Sequence, residues 1–413
     1  MIRRVALAVL SAFALHAQTA PAPTGKPLPD DVLARVSPII DAVHRLDYKR
    51  AEALCRQVIQ DFPENPAGLV YLFRVYWSEQ LSQARLLSAE RLVSMDLFSE
   101  KPKFQPLVPP QTLERLNSAA SAALAKSASW AKQHPDDPTA QFLLGTTYEF
   151  KAAYEFTAKH SLRDASASAN RAFKIHHELA QMYQMADAEV TAGAFSIIAD
   201  SLDWLPKLVG WILFGTRGNL NEGRRALERA AERGTIGAPD ARLLLAIVYT
   251  RQKRFDDAIA TLRELLKDYP ENYLVHLDIA SADLLANRPA RAIETYREIL
   301  TKNYQGLERG VALTRLGVAS RIAGDLSGSE RWLREAVEGS ANSAGARPVA
   351  RVELGKTLDL RSQRERAIEQ YRAALQAPDF LSLHEDAERL IKRPYDQNAM
   401  RQDTAAGGLI TLK

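Results

Sequence analysis

The chain has 413 residues, a quarter of them charged, and its formal net charge is +4 at neutral pH. Basic and acidic residues are interspersed, as in RERAIEQYR, so the sequence lacks the concentrated positive charge by which proteins bind nucleic acids. A single cysteine, Cys55, excludes a disulfide within the chain. Stability therefore has to come from the packing of apolar surface, and a chain of this length can bury enough of it.

The N-terminus has the layout of a secretory signal peptide. Two arginines precede a mostly apolar run from Val5 to Leu15, and small residues and prolines follow. The run is too short to span a bilayer comfortably. We predict a signal peptide over residues 1–17, cleaved near Ala17, and a Pro-rich spacer over 18–30. The pattern indicates a periplasmic or secreted protein, and a retained membrane anchor is the alternative.

Residues 31–97 show the apolar spacing of paired helices. The segment DYKRAEALCRQVIQDFPENP places Ala51 and Cys55 on one helical face and ends at Pro63. At such a packing position Cys55 is expected to be a buried free thiol. We interpret 98–110 as a Pro-rich linker that interrupts the helices.

Residues 111–238 continue as degenerate helical repeats with an apolar insert over 203–215. We expect one helix to end near Leu202 and the next to begin near Asn221. The insert, DWLPKLVGWILFG, is apolar on almost every side, whereas a surface helix normally keeps a polar face. Its candidate residues for membrane or apolar contact are Trp204, Leu208, Trp211, Ile212 and Phe214. The favoured interpretation is that the insert packs inside the fold; contact with a membrane or an apolar partner is the alternative.

A helix-turn-helix unit of 34 residues runs from Pro239 to Asn272, and its spacing recurs downstream. The small residues Ala246 and Ala258 allow two antiparallel helices to approach closely. Advancing 34 residues from Ala258 gives Ala292, the same position of the next unit. The pattern resembles the tetratricopeptide repeat family, here in an exported bacterial type.

The repeat continues with Gly317 and Gly355 at the small-residue positions of two more units. We predict a repeat array over 239–381, a polar-faced capping helix over 382–393 and a flexible tail over 394–413. No alternating strand pattern of useful length occurs in the sequence. The fold class is therefore all-α, an α-solenoid of antiparallel helix pairs that forms a tetratricopeptide-like superhelix.

The resemblance implies a ligand groove on the concave surface, which the first helix of each pair lines in this family. Mapped onto this chain, the groove residues are Leu243, Ile247, Thr250, Leu277, Ser281, Leu284, Thr314, Val318, Arg321, Val352 and Lys356. The Lys and Asn set with which chaperone-binding relatives clamp a peptide carboxylate is missing, which favours an apolar groove for a helix or an extended peptide. The alternative is that these residues pack on the next repeat or on the N-terminal part of the chain.

The sequence contains no arrangement of residues typical of a catalytic or metal site. The nearest candidate is IHHELAQM, but His176 and His177 are adjacent, and neighbouring residues on a helix point about 100° apart. We interpret this segment as a polar helix face and expect no enzyme activity, metal, cofactor or nucleic-acid partner.

Two functions remain open at this point. The first is a non-enzymatic extracytoplasmic scaffold or adaptor that binds a protein or peptide in its groove, in envelope assembly or secretion. The second is an envelope-associated protein that contacts lipid or membrane through 203–215.

Overall fold

The computed structural model of the chain describes residues 25–83, 109–159, 161–201, 219–302, 306–340, 345–377 and 383–405, together with Tyr304 and Asp379. Within these ranges the regular elements are helices and there is no strand. The all-α class is therefore confirmed. Residues 1–17, the apolar insert 203–215 and most of the linker 98–110 lie outside the described residues.

Successive helices form antiparallel pairs along the chain. Odd-numbered helices up to α15 are the first members of the pairs, and even-numbered helices up to α16 are the second. The helices are α1 (Asp30–His44), α2 (Tyr48–Asp61), α3 (Ala67–Gln83), α4 (Pro110–Gln133), α5 (Pro138–Thr157), α6 (Leu162–Tyr183), α7 (Glu189–Ser201), α8 (Leu220–Arg233), α9 (Ala238–Arg251), α10 (Phe255–Asp268), α11 (Tyr273–Leu285), α12 (Pro289–Lys302), α13 (Arg309–Ile322), α14 (Leu326–Gly339), α15 (Ala346–Leu360), α16 (Arg364–Ala374), α17 (Leu383–Lys392) and α18 (Gln397–Ala405).

Small residues let the two helices of a pair approach closely, as the repeat spacing predicts. A Cβ atom added to Gly355 would lie 2.3 Å from Cε1 of Tyr371, and one added to Gly317 would lie 2.5 Å from Cγ of Leu333. Tyr371 and Leu333 are both completely buried. Each pair thus joins a residue without a side chain to a large residue on the facing helix, and this contact sets the distance between the helices.

The superhelix closes on itself between α1 and the connection from α10 to α11. The Asn272 side chain donates through Nδ2 to the carbonyl oxygen of His44 at 2.7 Å, across 228 residues of sequence. Its Oδ1 accepts from backbone N–H groups in the first turn of α11, which caps that helix. Nearby, the Tyr269 hydroxyl donates to Asp41 at 2.9 Å. Four of the described helix pairs therefore lie between two segments that touch each other.

Helices border the predicted insert and follow the predicted repeat array. α7 ends at Ser201 and α8 begins at Leu220, as expected on either side of the insert, and α17 matches the predicted capping helix. Within the predicted spacer 18–30, Leu28 is completely buried in the core, and α1 begins at Asp30. Burial also explains the pKa of the Cys55 thiol, which is raised to about 12.

The flexible tail predicted over 394–413 is wrong for its first part. Tyr395 is buried, and its backbone N–H donates to the Asp359 carboxylate at 2.9 Å. The Arg364 guanidinium donates to the same carboxylate and to carbonyl oxygens at the end of α17. These contacts anchor the chain where α17 ends, and α18 follows. Residues 406–413 lie outside the described residues.

We expect Gly355→Ala to lower the free energy of unfolding by about 1–3 kcal/mol, because the added methyl group would overlap the Tyr371 ring. Chemical denaturation would measure the change. Gly339→Ala is the matched control, since Gly339 is an exposed helical glycine with open space around its Cβ position. That variant should be as stable as the wild type or slightly more so. Equal effects of the two substitutions would contradict the close helix contact.

Candidate functional site

The predicted groove residues lie on the first helices α9, α11, α13 and α15, but most of them are not accessible. Only Leu243 and Thr250 are half-exposed. The buried ones are Ile247, Leu277, Ser281, Leu284, Thr314, Val318, Arg321, Val352 and Lys356. The prediction of an open groove at these positions therefore needs correction. Neighbouring repeats bring the first helices close enough to bury one another's inner faces, so Leu277, Leu284 and Val318 belong to one apolar cluster.

The residues predicted to contact a membrane or an apolar partner, Trp204, Leu208, Trp211, Ile212 and Phe214, lie outside the described residues. In the part of the chain that the structure describes, none of the helices combines the length and the apolar character needed to cross a bilayer.

At the C-terminal end of the array, two of the predicted groove residues, Arg321 and Lys356, are cations that both pair with the Glu353 carboxylate. Arg321 donates to the carbonyl oxygen of Glu353 at 3.0 Å and also to its carboxylate, and Lys356 Nζ donates to the other carboxylate oxygen at 2.8 Å. Burial alone would raise the pKa of Glu353, but the charges of Lys356 and Arg321 hold this pKa at about 2. Glu353 and Arg321 are thus both charged at neutral pH.

The chain's own C-terminal segment covers this cationic pair. The Tyr395 ring centroid lies 5.5 Å from Cζ of Arg321 and 5.4 Å from Nζ of Lys356, within the range of cation–π contacts. The Tyr395 hydroxyl donates to Asp403 at 2.9 Å, and the Asp403 carboxylate lies 3.9 Å from Lys356 Nζ. First-helix side chains therefore hold a polypeptide segment through an aromatic ring and a carboxylate.

In the N-terminal half, closure of the superhelix brings first-helix charges together. The Arg74 guanidinium on α3 donates to Asp240 Oδ1 on α9 at 2.8 Å, and His44 Nε2 lies 3.2 Å from the same oxygen. Burial opposes ionisation of Asp240, but the Arg74 charge and the His44 contact lower its pKa to about 2. Asp240 and Arg74 thus form a balanced ion pair across the concave surface.

A chain of short hydrogen bonds runs beside this pair. His176 Nε2 lies 3.2 Å from the carbonyl oxygen of Phe142, which can only accept, so Nε2 carries a proton. His176 Nδ1 lies 2.5 Å from the Thr191 hydroxyl, which lies 2.5 Å from Glu149 Oε2. The hydroxyl has a single proton for these two neighbours. Both contacts are hydrogen bonds only when Glu149 or Nδ1 of His176 holds one further proton.

The pKa values place that proton on Glu149. Burial raises the pKa of Glu149 to about 7, and the negative charge of Asp240 adds to the rise. Burial lowers the pKa of His176 to about 4, because the charged imidazolium is disfavoured in the interior. Below about pH 7 the protonated carboxyl therefore donates to Thr191, and Thr191 donates to a neutral His176; above it the ionised carboxylate accepts from Thr191.

The interpretation of IHHELAQM as a polar helix face is wrong for His176, whose side chain is buried, and correct for exposed His177. The reason is the length of the helix pair. In the regular units a small residue faces a large one 16 positions later, as Gly355 faces Tyr371. In α5 and α6 both helices are longer, so Gly145 faces His176, 31 positions later. A register taken from the regular repeat misses this pair.

A polar cavity of about 720 Å³ opens on the outer face between α14 and α16. Its centre is the buried carboxylate of Glu330, which pairs with Arg334, Arg361 and Arg366. These contacts join two adjacent repeats.

Among the described residues, no group of three or more His, Cys, Asp or Glu side chains could hold a metal ion.

The geometry described above is that of an α-solenoid built from tetratricopeptide-type helix pairs. The sequence model of the family described as tetratricopeptide repeat matches the chain over residues 212–273, 246–308 and 277–347. Residues 212–347 therefore contain tetratricopeptide repeats. No curated protein sequence matches the chain.

Solved structures of similar helical architecture include yeast Tom70, with 13% identity over 88% of this chain and 89% of that chain and a TM-score of 0.37. A human IFIT1 dimer with m7Gppp-AAAA has 12% identity over 89% and 86% and a TM-score of 0.43. A Rap protein complexed with competence and sporulation factor has 11% identity over 91% and 99% and a TM-score of 0.43. At these TM-scores the likenesses do not bear on function.

We expect Glu149→Gln to change how stability depends on pH. Below the ordinary carboxyl pKa of 4.5, Glu149 is protonated in both the folded and the unfolded chain. Between pH 4.5 and about 7 only the folded chain keeps the proton, so the wild type loses stability as pH rises. The Gln amide replaces the protonated carboxyl as donor to Thr191 without titrating. Stability of the variant relative to wild type should therefore increase across this window.

Denaturation at a series of pH values measures this difference. Glu178→Gln, an exposed carboxyl on α6, is the control and should follow the wild type throughout. If the stability of Glu149→Gln relative to wild type is independent of pH, Glu149 does not hold the additional proton.

Proposed function

We propose that the protein is a non-catalytic extracytoplasmic scaffold that holds a protein or peptide partner against its first helices, in envelope assembly or secretion. The observation that carries the proposal is the contact of Arg321 and Lys356 with Tyr395 and Asp403. In this contact the inner helices already hold a polypeptide segment, supplied by the chain itself.

The chemistry of this contact is suited to peptide recognition. Aromatic rings and carboxylates offer a cationic surface both cation–π and ionic interactions, and these depend on orientation more than apolar contacts do. At the other end of the array, Leu243 and Thr250 keep half-exposed side chains on α9. An extended partner on the first helices would contact these two residues on α9.

We expect Thr250→Arg to weaken binding of a peptide partner by about tenfold or more, because the larger charged side chain would block the surface of α9. Peptides selected from a random library on the wild-type protein serve as probes, and their affinities are measured by fluorescence anisotropy.

Thr261→Arg is the matched control for this substitution. Both threonines are half-buried and donate to the carbonyl oxygen four residues earlier, but Thr261 lies on the second helix α10. It should bind the selected peptides as the wild type does. Equal affinities of the two variants, or failure of the library to yield any peptide, would contradict the proposed function.

The proposed extracytoplasmic location rests on the first 25 residues alone. We expect the native protein to begin at Gln18, after removal of residues 1–17. N-terminal sequencing of the protein from its own cells measures this directly. Recovery of the chain with Met1 intact in the cytosol would refute both the cleavage and the location.

A further inference from the structure

On the concave surface of the N-terminal half, the Glu149 carboxyl group lies beside an ion pair but has no cationic partner of its own among the described residues. We call the surface between α3, α5, α7 and α9 the recess. Within it Arg74 is paired with Asp240, whereas Glu149 has hydrogen bonds only to Thr191 among the described residues. His176, the nearest basic group to Glu149, is neutral around pH 7 because burial lowers its pKa. An ionised Glu149 would therefore leave one uncompensated negative charge.

The two carboxylates of the recess keep one oxygen each without a partner. The contacts of Asp240 with Arg74 and His44 both fall on Oδ1, and the Thr191 contact of Glu149 falls on Oε2. Asp240 Oδ2 and Glu149 Oε1 thus accept no hydrogen bond from the described residues. Both side chains are about 30% exposed, whereas that of Arg74 is 7% exposed. Water therefore reaches the carboxyl groups of Asp240 and Glu149, whereas the Arg74 guanidinium beside them is covered.

A third polar group of the recess is Thr146, whose hydroxyl is buried and has no hydrogen-bond partner. It lies one helical turn before Glu149. A helical threonine often donates to the carbonyl four residues earlier, but that carbonyl, on Phe142, instead lies within hydrogen-bond distance of His176. Residues three apart on a helix share a face, so Thr146 lies on the same face of α5 as Glu149.

We propose that the recess binds an organic cation, an ammonium or guanidinium group, through Glu149 Oε1, Asp240 Oδ2 and the hydroxyl oxygen of Thr146. An ammonium group has three donors and no acceptor, which matches three oxygen acceptors beside an excess negative charge. Where the cation is a lysine or arginine side chain of a peptide partner, this inference rests on the proposed function. A free amine would satisfy the same chemistry without a peptide.

Binding in the recess should release a proton, because the bound cation favours an ionised Glu149. The titratable, charged and hydrogen-bonding groups around Glu149 are Tyr71 and Arg74 of α3, His44 of α1, His176 of α6, Thr191 of α7, Asp187 before α7, and Asp240 of α9. Asp240 stays ionised and His176 stays neutral around pH 7, whereas Glu149, with a pKa of about 7, changes its charge there. Affinity should therefore increase as pH rises.

The test uses the full chain with n-butylammonium and n-butylguanidinium as probes and n-butanol as an uncharged control, in NMR titrations. We expect the cations to bind about tenfold more tightly at about pH 8 than at about pH 5.5, and n-butanol not to bind. Glu149→Gln should weaken cation binding about tenfold at the higher pH and abolish the pH dependence. Glu178→Gln should bind as the wild type does.

Thr146→Val separates a binding role from a structural one. The substitution removes a buried hydroxyl that has no partner and keeps the shape of the side chain. The variant should be as stable as the wild type or more so, and should bind the cations several-fold more weakly. Equal cation binding by wild type, Thr146→Val and Glu149→Gln would overturn the proposal, as would equal binding of n-butanol.

A further experiment identifies whether the cation is a side chain of a peptide partner or a free amine. Peptides selected on the wild type are remade with each lysine replaced by norleucine and each arginine by citrulline. Loss of affinity on replacement, together with competition by n-butylammonium, would assign the recess to a side chain of the partner. If the probes bind but no selected peptide competes, the ligand is a free amine. If the probes bind and the library yields no peptide, the proposed function fails while the recess stands.

Discussion

The structure depends on the contact that closes the superhelix. Asn272 joins two helix ends at once, since its amide oxygen caps α11 and its amide nitrogen satisfies the last carbonyl group of α1. Both groups would otherwise be unpaired in the interior, where an unsatisfied polar group costs about 1–3 kcal/mol. The contact brings α9 against α1 and α3. Without it, Asp240 would face water rather than Arg74 and His44.

Enclosure of the concave surface explains why its polar groups have unusual protonation states. Two carboxylates lie close together there, and Arg74 neutralises one of them. The second carboxyl group, Glu149, keeps its proton up to about pH 7, and in that state it donates to Thr191, which donates to His176. At the opposite end of the array, two cations flank Glu353, and the aromatic ring and carboxylate of the C-terminal segment complete that cluster.

The repeat period and the pairing of small with large residues could be predicted from the sequence, because both depend on residues close together in the chain. Gly355 and Tyr371 are 16 positions apart, and a single register relates them. Closure could not be predicted in this way. The sequence pattern shows Asn272 only as the end of a repeat, and its hydrogen-bond partner, the His44 carbonyl group, lies 228 residues away. His176 was missed because the longer α5 and α6 shift the register. The groove positions were located on the correct helices, but their burial depends on how tightly successive pairs pack.

The central claim is that Asn272 closes the superhelix, and Asn272→Asp tests it most directly. The carboxylate would still cap α11, but it could not donate to the His44 carbonyl and would face that oxygen with a negative charge. Asn219→Asp is the matched control, because Asn219 caps α8 and is exposed. We predict that Asn272→Asp lowers the free energy of unfolding by about 1–3 kcal/mol and speeds amide exchange at the end of α1, while the control changes neither. Unchanged stability and exchange in Asn272→Asp would contradict the account.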